Sequence, residues 1–333
     1  MRVGLNVANF ASPGGRARLG PALAQVARRA EDAGFESFWL WDHFFWDQAP
    51  VGPGVTDREM IEAYTALGFV AGVTRTIKLG TMVASATYRH PGVLIKQVTA
   101  LDLLSGGRAI FGIGAGWFEE EHRALGIPFP SVKERFERLE ETVQIALQMW
   151  ADEGKYDRAK PFSGKHYRLE RTLNVPQALQ RPHPPILIGG NGPQLLCLAA
   201  READIVGLSG ITFRNGGAAP PDLSGWRVSS VDERIRLLRQ VAGDERFERL
   251  EINALVQVIV TKGRRKAAEE LTGRWSQLSC DEILLSPYVL IGIIEQIIED
   301  LERRRARWGI SYYTVREADI DTFAPVVAHL TGQ

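Results

Sequence analysis

The sequence has few of the residues that several classes of protein require. It contains two cysteines, Cys197 and Cys280, and neither belongs to a Cys-x-x-Cys pair, which excludes a disulfide-stabilised secreted domain. We expect both to be reduced, buried thiols of a cytoplasmic protein. The six histidines are scattered, without an HExxH or similar spacing, so we expect no metal site.

Net charge and long apolar runs are also missing. The 40 basic and 40 acidic residues give a formal net charge of +0, so no basic face for nucleic acid is expected. No apolar run approaches the roughly 20 residues of a membrane span, and the first residues enter a strand pattern without a signal-peptide core. We therefore expect a small-molecule substrate and neither a nucleic-acid nor a membrane partner.

What the sequence does contain is an alternation of short apolar runs and helical patterns. The runs are apolar on both faces, which is typical of parallel strands covered by helices. The predicted strands are residues 2–7, 37–41, 77–83, 109–113, 186–188, 204–208, 251–260 and 311–315. The predicted helices are residues 19–33, 57–74, 91–104, 131–150, 193–201, 231–241, most of 264–307, and 318–330.

Eight such units predict a single (β/α)8 TIM barrel over residues 1–333. Insertions follow strands 4 and 6: residues 154–185 contain a hairpin arm and a proline-rich linker, and residues 210–228 are rich in glycine and proline. We expect the second insertion to be a mobile loop. A doubly wound open sheet is the alternative architecture.

Residues 108–117, Arg-Ala-Ile-Phe-Gly-Ile-Gly-Ala-Gly-Trp, have glycine at every second position. Because Gly112, Gly114 and Gly116 lack Cβ, a flat ligand could approach the backbone closely, with Trp117 adding a stacking surface. The spacing does not match the G-x-G-x-x-G of a dinucleotide fingerprint. Glycines that only permit strand curvature are the alternative.

Asp42 and His43 follow the second predicted strand and are surrounded by aromatic residues. In a TIM barrel the active site lies at the carboxyl ends of the strands. Histidine exchanges protons near neutral pH, and an adjacent carboxylate can orient it. We therefore predict that both are catalytic; the alternative is that Asp42 caps a turn and His43 only packs.

Gly189, Gly190, Asn191 and Gly192 lie between the fifth predicted strand and its helix. Backbone N–H groups and the helix dipole at such a place form an anion site, and barrels commonly bind phosphate after their later strands. The sequence therefore predicts a phosphate site here. An ordinary glycine turn is the alternative, since no P-loop lysine is present.

The remaining predicted strand ends and loops carry polar and aromatic side chains. We expect them to line a pocket for a hydrophobic or aromatic substrate, and the residues are Asn6, Phe10, Phe44, Trp46, Tyr88 and Trp226. The acidic run Glu119–Glu121 and the following His122 are interpreted as an exposed helix face. Because no G-x-S-x-G or similar nucleophile motif is present, these features suit a phosphorylated tricyclic redox cofactor better than hydrolysis.

The chain resembles the luciferase-like monooxygenase superfamily, especially its coenzyme F420-dependent oxidoreductases. The resemblance depends on residues 38–43, 79–83, 107–117, 185–191 and 308–313. It implies a TIM barrel, commonly a homodimer, with a deazaflavin or flavin across the strand ends and a non-proline cis peptide at Met82-Val83. Trp46 falls near an aromatic residue that covers the ring. The cofactor contacts it implies are Asp42, Met82, Val83, Ala84, Gly114, Ala115, Gly116, Gly189, Gly190, Asn191 and Gly192.

The function that the resemblance implies is hydride transfer between coenzyme F420 and a hydrophobic organic substrate, with His43, Asp42 and Trp117 as the catalytic residues and His43 in proton transfer. A monooxygenase using reduced FMN and a catalytically silent cofactor-binding barrel are the alternatives. Trp117 stands where the sugar-phosphate dehydrogenase branch has a glutamate, and that branch's phosphate-binding lysines are not evident. These departures favour reduction of an enone or imine over oxidation of glucose 6-phosphate.

Overall fold

The computed structural model describes residues 1–10, 15–45, 59–151 and 159–331. The strands in these ranges are β1 (Arg2–Val7), β2 (Ser37–Leu40), β3 (Lys78–Thr81), β4 (Ala84–Ser85), β5 (Ala109–Gly114), β6 (Phe162–Ser163), β7 (Arg168–Leu169), β8 (Ile186–Gly190), β9 (Ile205–Leu208), β10 (Glu251–Leu255), β11 (Gln257–Val260), β12 (Val289–Gly292) and β13 (Ile310–Arg316). The helices are α1 (Leu19–Asp32), α2 (Ala63–Val73), α3 (Pro91–Ser105), α4 (Glu119–Ala124), α5 (Val132–Ala151), α6 (Pro193–Glu202), α7 (Val228–Ala242), α8 (Asp244–Phe247), α9 (Arg264–Arg274), α10 (Cys280–Leu285), α11 (Ile294–Trp308) and α12 (Ile320–Thr331).

Eight of these strands form a closed parallel barrel. Their order is β3-β2-β1-β13-β10-β9-β8-β5, and β5 pairs back onto β3 to close the ring. The short strand β4 continues β3 and also pairs with β5. The helices cover the outer faces of the strands through one large apolar cluster. The predicted TIM barrel is confirmed, including the long insertions after β5 and β9.

Three elements differ from the sequence prediction. The predicted strand 251–260 is divided: β10 stays in the barrel, whereas β11 pairs with β12 in a separate two-stranded sheet. β12 lies inside the region predicted as mostly helical, because a four-residue apolar run does not by itself distinguish a strand from a helix. Helix α2 begins at Ala63 rather than at residue 57, which lies outside the described residues.

The loop insertion and the cysteines also differ from expectation. Residues 210–228, predicted as a mobile loop, contain an antiparallel bridge between Thr212 and Asp222 and bury Trp226 to 7% exposure. Cys197 and Cys280 are unpaired, but both are half-buried rather than buried. Among the described residues, none of the helices is long and apolar enough to cross a membrane.

Inside the barrel, a few large side chains pack against positions that have no side chain. A second, separate cluster joins Trp39, Ile110, Leu187, Ile205 and Tyr312, each at most 2% exposed. Phe38 and Leu40 belong to the outer cluster, so alternation along β2 directs Trp39 inward.

Glycine makes room for the Trp39 indole on both neighbouring strands. A Cβ added at Gly4 or at Gly80 would lie 2.6 Å from an atom of that ring. The inner layer of the barrel therefore depends on pairing one large residue with two that have no side chain.

The glycines at positions 112, 114 and 116, in and just after β5, are also needed because a side chain there would collide with a neighbouring segment. A Cβ at Gly112 would lie 1.9 Å from the backbone oxygen of Thr81. A Cβ at Gly114 would lie 2.9 Å from Val83 Cγ2, and one at Gly116 would lie 2.3 Å from Ser85 Oγ.

Each of the three glycines thus faces one residue of the neighbouring 81–85 segment, which contains the cis peptide between Met82 and Val83. Close approach of protein to protein, rather than of a flat ligand to the backbone, accounts for these glycines.

We expect Gly112→Ala to destabilise the fold by about 3 kcal/mol or more, the upper end of overpacking effects, because its Cβ would meet backbone that cannot rotate away. Urea unfolding followed by circular dichroism measures the change. Gly68→Ala in α2 is the control: nothing lies within 4 Å of its Cβ, so it should be neutral or stabilise by about 0.5–1 kcal/mol. Equal stability of the two variants would contradict the packing argument.

Candidate active site

A cavity of about 650 Å³ opens at the carboxyl ends of the barrel strands. Most of the residues predicted from the sequence line it. These are Asp42, His43, Met82, Val83, Ala84, Tyr88, Gly114, Ala115, Gly116, Trp117, Gly189, Gly190, Asn191, Gly192 and Trp226. The structure therefore brings together the predicted cofactor wall, the Asp-His pair and the glycine turn.

Three predicted pocket residues lie outside this lining. Asn6 is 2% exposed and donates from Nδ2 to the backbone oxygen of Trp39 at 3.5 Å. Phe10 is 5% exposed and belongs to the apolar core. Phe44 packs against Tyr88, with ring centroids 5.0 Å apart. A further predicted pocket residue, Trp46, lies outside the described residues.

His43 is held by a carboxylate that the sequence analysis did not select. Its Nδ1 lies 2.8 Å from Oε2 of Glu121, on α4, and the Glu121 side chain is fully buried. The backbone N–H groups of Phe44 and Phe45 and the hydroxyl of Tyr88 also donate to this carboxylate. Burial opposes ionisation, but the bonds from His43 and its neighbours outweigh it and lower the pKa of Glu121.

Asp42, the expected partner of His43, makes a different interaction. Both of its oxygens accept from Arg89, at 2.6 and 2.8 Å. Arg89 also donates to Glu62 at 2.5 Å and lies over the ring of Tyr64. Burial raises the pKa of Asp42, and the two-point ion pair opposes that rise. The adjacent carboxylate in sequence is therefore not the one that orients His43.

The interpretation of Glu121 and His122 as an exposed helix face is wrong. Both are fully buried. His122 Nδ1 lies 2.7 Å from the carbonyl oxygen of Phe118 and Nε2 lies 2.7 Å from Thr87 Oγ1, which in turn lies 2.7 Å from Ser85 Oγ. Burial lowers the pKa of His122, so it is neutral near pH 7.

One signal in the sequence could have indicated this arrangement. The acidic run follows the strand-end glycines directly, so its first turn has to lie at the carboxyl edge of the barrel, where the active site is expected.

The floor of the cavity is the segment 82–85. Val83 packs on the inner barrel cluster, and its side chain fills the space above Gly114 and Gly189. Trp117 forms a wall: its ring stacks on Phe213 with centroids 3.8 Å apart and lies edge-on to His43 at 5.9 Å. One face of the Trp117 indole is therefore already covered by protein.

The glycine turn opens onto the first turn of α6. Gly192 occupies the N-cap position, with no side-chain cap, and Pro193 is the first helical residue. Asn191 donates from Nδ2 to the backbone oxygen of Ile211 at 2.7 Å, while its buried Oδ1 has no hydrogen-bond partner among the described residues. A Cβ at Gly192 would meet only Phe136, at 3.8 Å. Backbone N–H groups and open space therefore coincide here, as an anion site requires.

A model of the luciferase-like monooxygenase family matches residues 1–311. The chain belongs to this family. It is 35% identical over 184 residues to the F420-dependent glucose-6-phosphate dehydrogenase of Kineococcus radiotolerans, covering 55% of this chain and 50% of that protein. It is 29% identical over 182 residues to the FMNH(2)-dependent dimethylsulfone monooxygenase of Pseudomonas putida, covering 55% of this chain and 46% of that protein.

The chain thus spans about half the length of these curated relatives. Among solved structures of the same fold is an F420-dependent secondary alcohol dehydrogenase in complex with an F420-acetone adduct. It has a TM-score of 0.73 and 19% identity, with 99% of this chain and 98% of that chain covered. The cis peptide between Met82 and Val83, which the family resemblance implies, is present.

We expect Glu121→Gln to lower the free energy of unfolding by about 1.5–3 kcal/mol at pH 7, since it removes a charged acceptor of several hydrogen bonds. The folded-state pKa of Glu121 lies below its usual 4.5. The ionised carboxylate of Glu121 therefore contributes its full stabilisation of the fold above pH 4.5. This stabilisation is lost as the pH falls through the lower pKa of the folded state.

Chemical unfolding of wild type and Glu121→Gln at several pH values tests this expectation. The difference should be constant near neutrality and shrink below about pH 4.5. Glu120→Gln, which changes the exposed neighbour, should leave stability within about 0.5 kcal/mol. A pH-independent difference would show that the charge of Glu121 is unimportant.

Proposed function

We propose that this protein is an oxidoreductase that transfers a hydride between coenzyme F420 and a small hydrophobic organic substrate. The observation that carries the proposal is His43, tied by a buried carboxylate, on the wall of a cavity that also contains the uncapped first turn of α6. The relative from Kineococcus radiotolerans supports F420 as the cofactor. The cytoplasmic location and the homodimer stay predictions from the sequence.

The residues present fit a flat, phosphorylated cofactor. The segment 82–85 forms a floor, and the N–H groups at the start of α6 would hold a phosphate. The unpartnered Oδ1 of Asn191 would accept a hydrogen bond from a ligand hydroxyl or N–H. A cavity of about 650 Å³ is within the usual range for cofactor and ligand sites.

A bound deazaflavin supplies a carbon that accepts or gives up a hydride. Around it, His43 would move the accompanying proton. When its imidazole is neutral, Nδ1–H donates to Glu121, which leaves Nε2 as the basic nitrogen. When it is protonated, the same carboxylate stabilises the imidazolium without moving. Trp117 and Phe213 give the substrate side of the cavity an apolar wall and limit water there.

A second candidate is a monooxygenase that uses reduced FMN and oxygen, as the name of the Pseudomonas putida relative indicates for that protein. Both cofactors would use the same floor and phosphate site. Equilibrium binding of F420 and of FMN to the purified protein separates the two. We expect F420 to bind at least tenfold more tightly; the reverse order would favour the monooxygenase.

We expect His43→Ala to keep F420 affinity within about threefold and to lower turnover by about 10²–10⁴-fold, the usual contribution of general acid–base catalysis. Turnover is followed by F420 absorbance with a panel of cyclic enones, imines and glucose 6-phosphate. His329→Ala, a change on the outer helix α12, should leave turnover unaltered. Wild-type turnover of His43→Ala would remove His43 from proton transfer.

We expect Gly192→Asp to weaken F420 or FMN binding at least tenfold, about 1.4 kcal/mol, because a carboxylate would face the cofactor phosphate. The fold should persist, since Asp is a favoured N-cap residue and its Cβ has space. Gly190 is unsuitable for this test, because its Cβ would lie 2.6 Å from Leu195.

Gly192→Asn is the matched control, with the same shape and no charge. It should change affinity less than threefold. If the Asp and Asn variants bind the cofactor equally well, its phosphate lies elsewhere.

A further inference from the structure

The cavity carries more positive charge than a single cofactor phosphate requires. Arg135, Arg234 and Arg316 all line it, whereas Asp42 is the one carboxylate among the described lining residues. Asp42 is already neutralised by its two-point ion pair with Arg89, which is not in the lining. The electrostatic character of the cavity is therefore set by arginine.

Arg135 belongs to the phosphate end. It lies on α5, stacks over Phe129 at 4.1 Å and donates to the backbone oxygen of Pro130 at 2.6 Å. The next residue, Phe136, is the side chain nearest to a Cβ at Gly192. Arg135 and the first turn of α6 therefore form one cationic region.

Arg316 lies at a different place on the rim. It ends β13, which is three strand positions from β8 in the barrel order, roughly 14 Å along the wall at about 4.8 Å per strand. On the other side, only β1 separates β13 from β2, the strand that leads into Asp42 and His43. A phosphate held at Gly192 is thus far from Arg316, while a substrate at His43 is near it.

The guanidinium of Arg316 makes no hydrogen bond or ion pair within the part of the chain that the structure describes. Burial lowers the pKa of Arg316; the charge of Asp319 opposes this change and that of Arg274 adds to it. Because Arg316 lines the cavity, its unused donors are available there to an anionic group.

Arg234, on α7, supplies a second cation of the cavity lining. Its Nη1 donates to the backbone oxygen of Gly225 at 2.9 Å, which fixes the guanidinium beside Trp226. Tyr288 packs on Trp226 with ring centroids 5.8 Å apart. Burial raises the pKa of Tyr288 to about 12, and the nearby Arg234 limits that rise. An aromatic surface therefore adjoins the positive groups.

We infer that Arg316 binds an anionic oxygen group, a carboxylate or a phosphate, at the end of an otherwise apolar substrate, with Arg234 as a further cation of the same cavity. A planar guanidinium matches either group through paired N–H donors. This inference deepens the proposed function, on which it rests, by naming the substrate class: an apolar molecule whose reacting carbon lies near His43 and whose anion lies at the end of β13.

Binding of matched probes tests the inference without turnover. Isothermal titration at low salt compares 4-phenylbutyrate and phenyl phosphate with the uncharged 4-phenyl-1-butanol. We expect wild type to bind at least one anion tenfold or more tightly than the alcohol, and the tighter anion identifies carboxylate or phosphate. Arg316→Gln, which keeps length and some donors, should reduce the preference to below threefold.

Arg274→Gln is the control, because Arg274 is exposed, acts electrostatically on Arg316 and is not in the cavity lining. It should retain the anion preference. Arg316→Lys should retain part of it, and thermal melts confirm that each variant is folded. No anion preference in wild type, or an unchanged preference in Arg316→Gln, would overturn the inference.

Titration of F420 and FMN into the same variants separates this inference from the proposed function. Unchanged F420 affinity in Arg316→Gln, with the anion preference lost, supports a substrate site. A tenfold loss of F420 affinity with intact probe binding would assign Arg316 to the cofactor and overturn the inference. If neither cofactor binds wild type while the probe result holds, the proposed function fails and the anion site stands.

Discussion

The fit between β5 and the segment that continues β3 is the constraint on which the active-site face depends. Thr81 and Val83 press against glycines of β5, and Ser85 presses against Gly116 just after it, so two neighbouring backbones approach more closely than side chains would allow. This approach places the cis peptide over the inner barrel cluster and gives the cavity its floor. The glycines therefore shape the cavity indirectly, by letting protein occupy the space beneath it.

A second constraint connects loops that are distant in sequence. Glu121 accepts hydrogen bonds from His43, from Tyr88 and from the backbone after His43, so one buried carboxylate joins the segments that follow β2, β3 and β5. Separately, Arg89 donates to both Asp42 and Glu62, and this ties the same region to the start of α2. Asp42 and His43 are thus each held by a separate network of hydrogen bonds. Together these networks fix the imidazole more firmly than a single neighbouring side chain could.

The sequence predicted the barrel and most of the cavity lining because both depend on local patterns. Alternating apolar runs and helices predict strands that meet at one rim, so Asp42, His43, Trp117 and Gly189 had to lie near one another. The residue that orients His43 could not be predicted in the same way. Glu121 is 78 positions from His43, and in sequence it is indistinguishable from a solvated acidic turn.

Other differences have the same origin. Asn6 lies in β1 and Phe10 follows it, but side-chain direction and the depth of the loop place them in the interior instead of the cavity. β12 was missed because four apolar residues support either kind of element, and only pairing with β11 decides between them. Long-range pairing, not local preference, determined each of these positions.

The bonds from Glu121 to the N–H groups of Phe44 and Phe45 have a consequence for how such a site can change. They hold the backbone in place immediately after His43, ahead of the long segment that leads to α2. The position of the imidazole therefore depends on bonds made within two residues of it in the chain. Because these bonds end at Phe45, a change of sequence beyond that residue leaves them in place, so the proposed proton-transfer group does not depend on the residues that follow it for its anchoring.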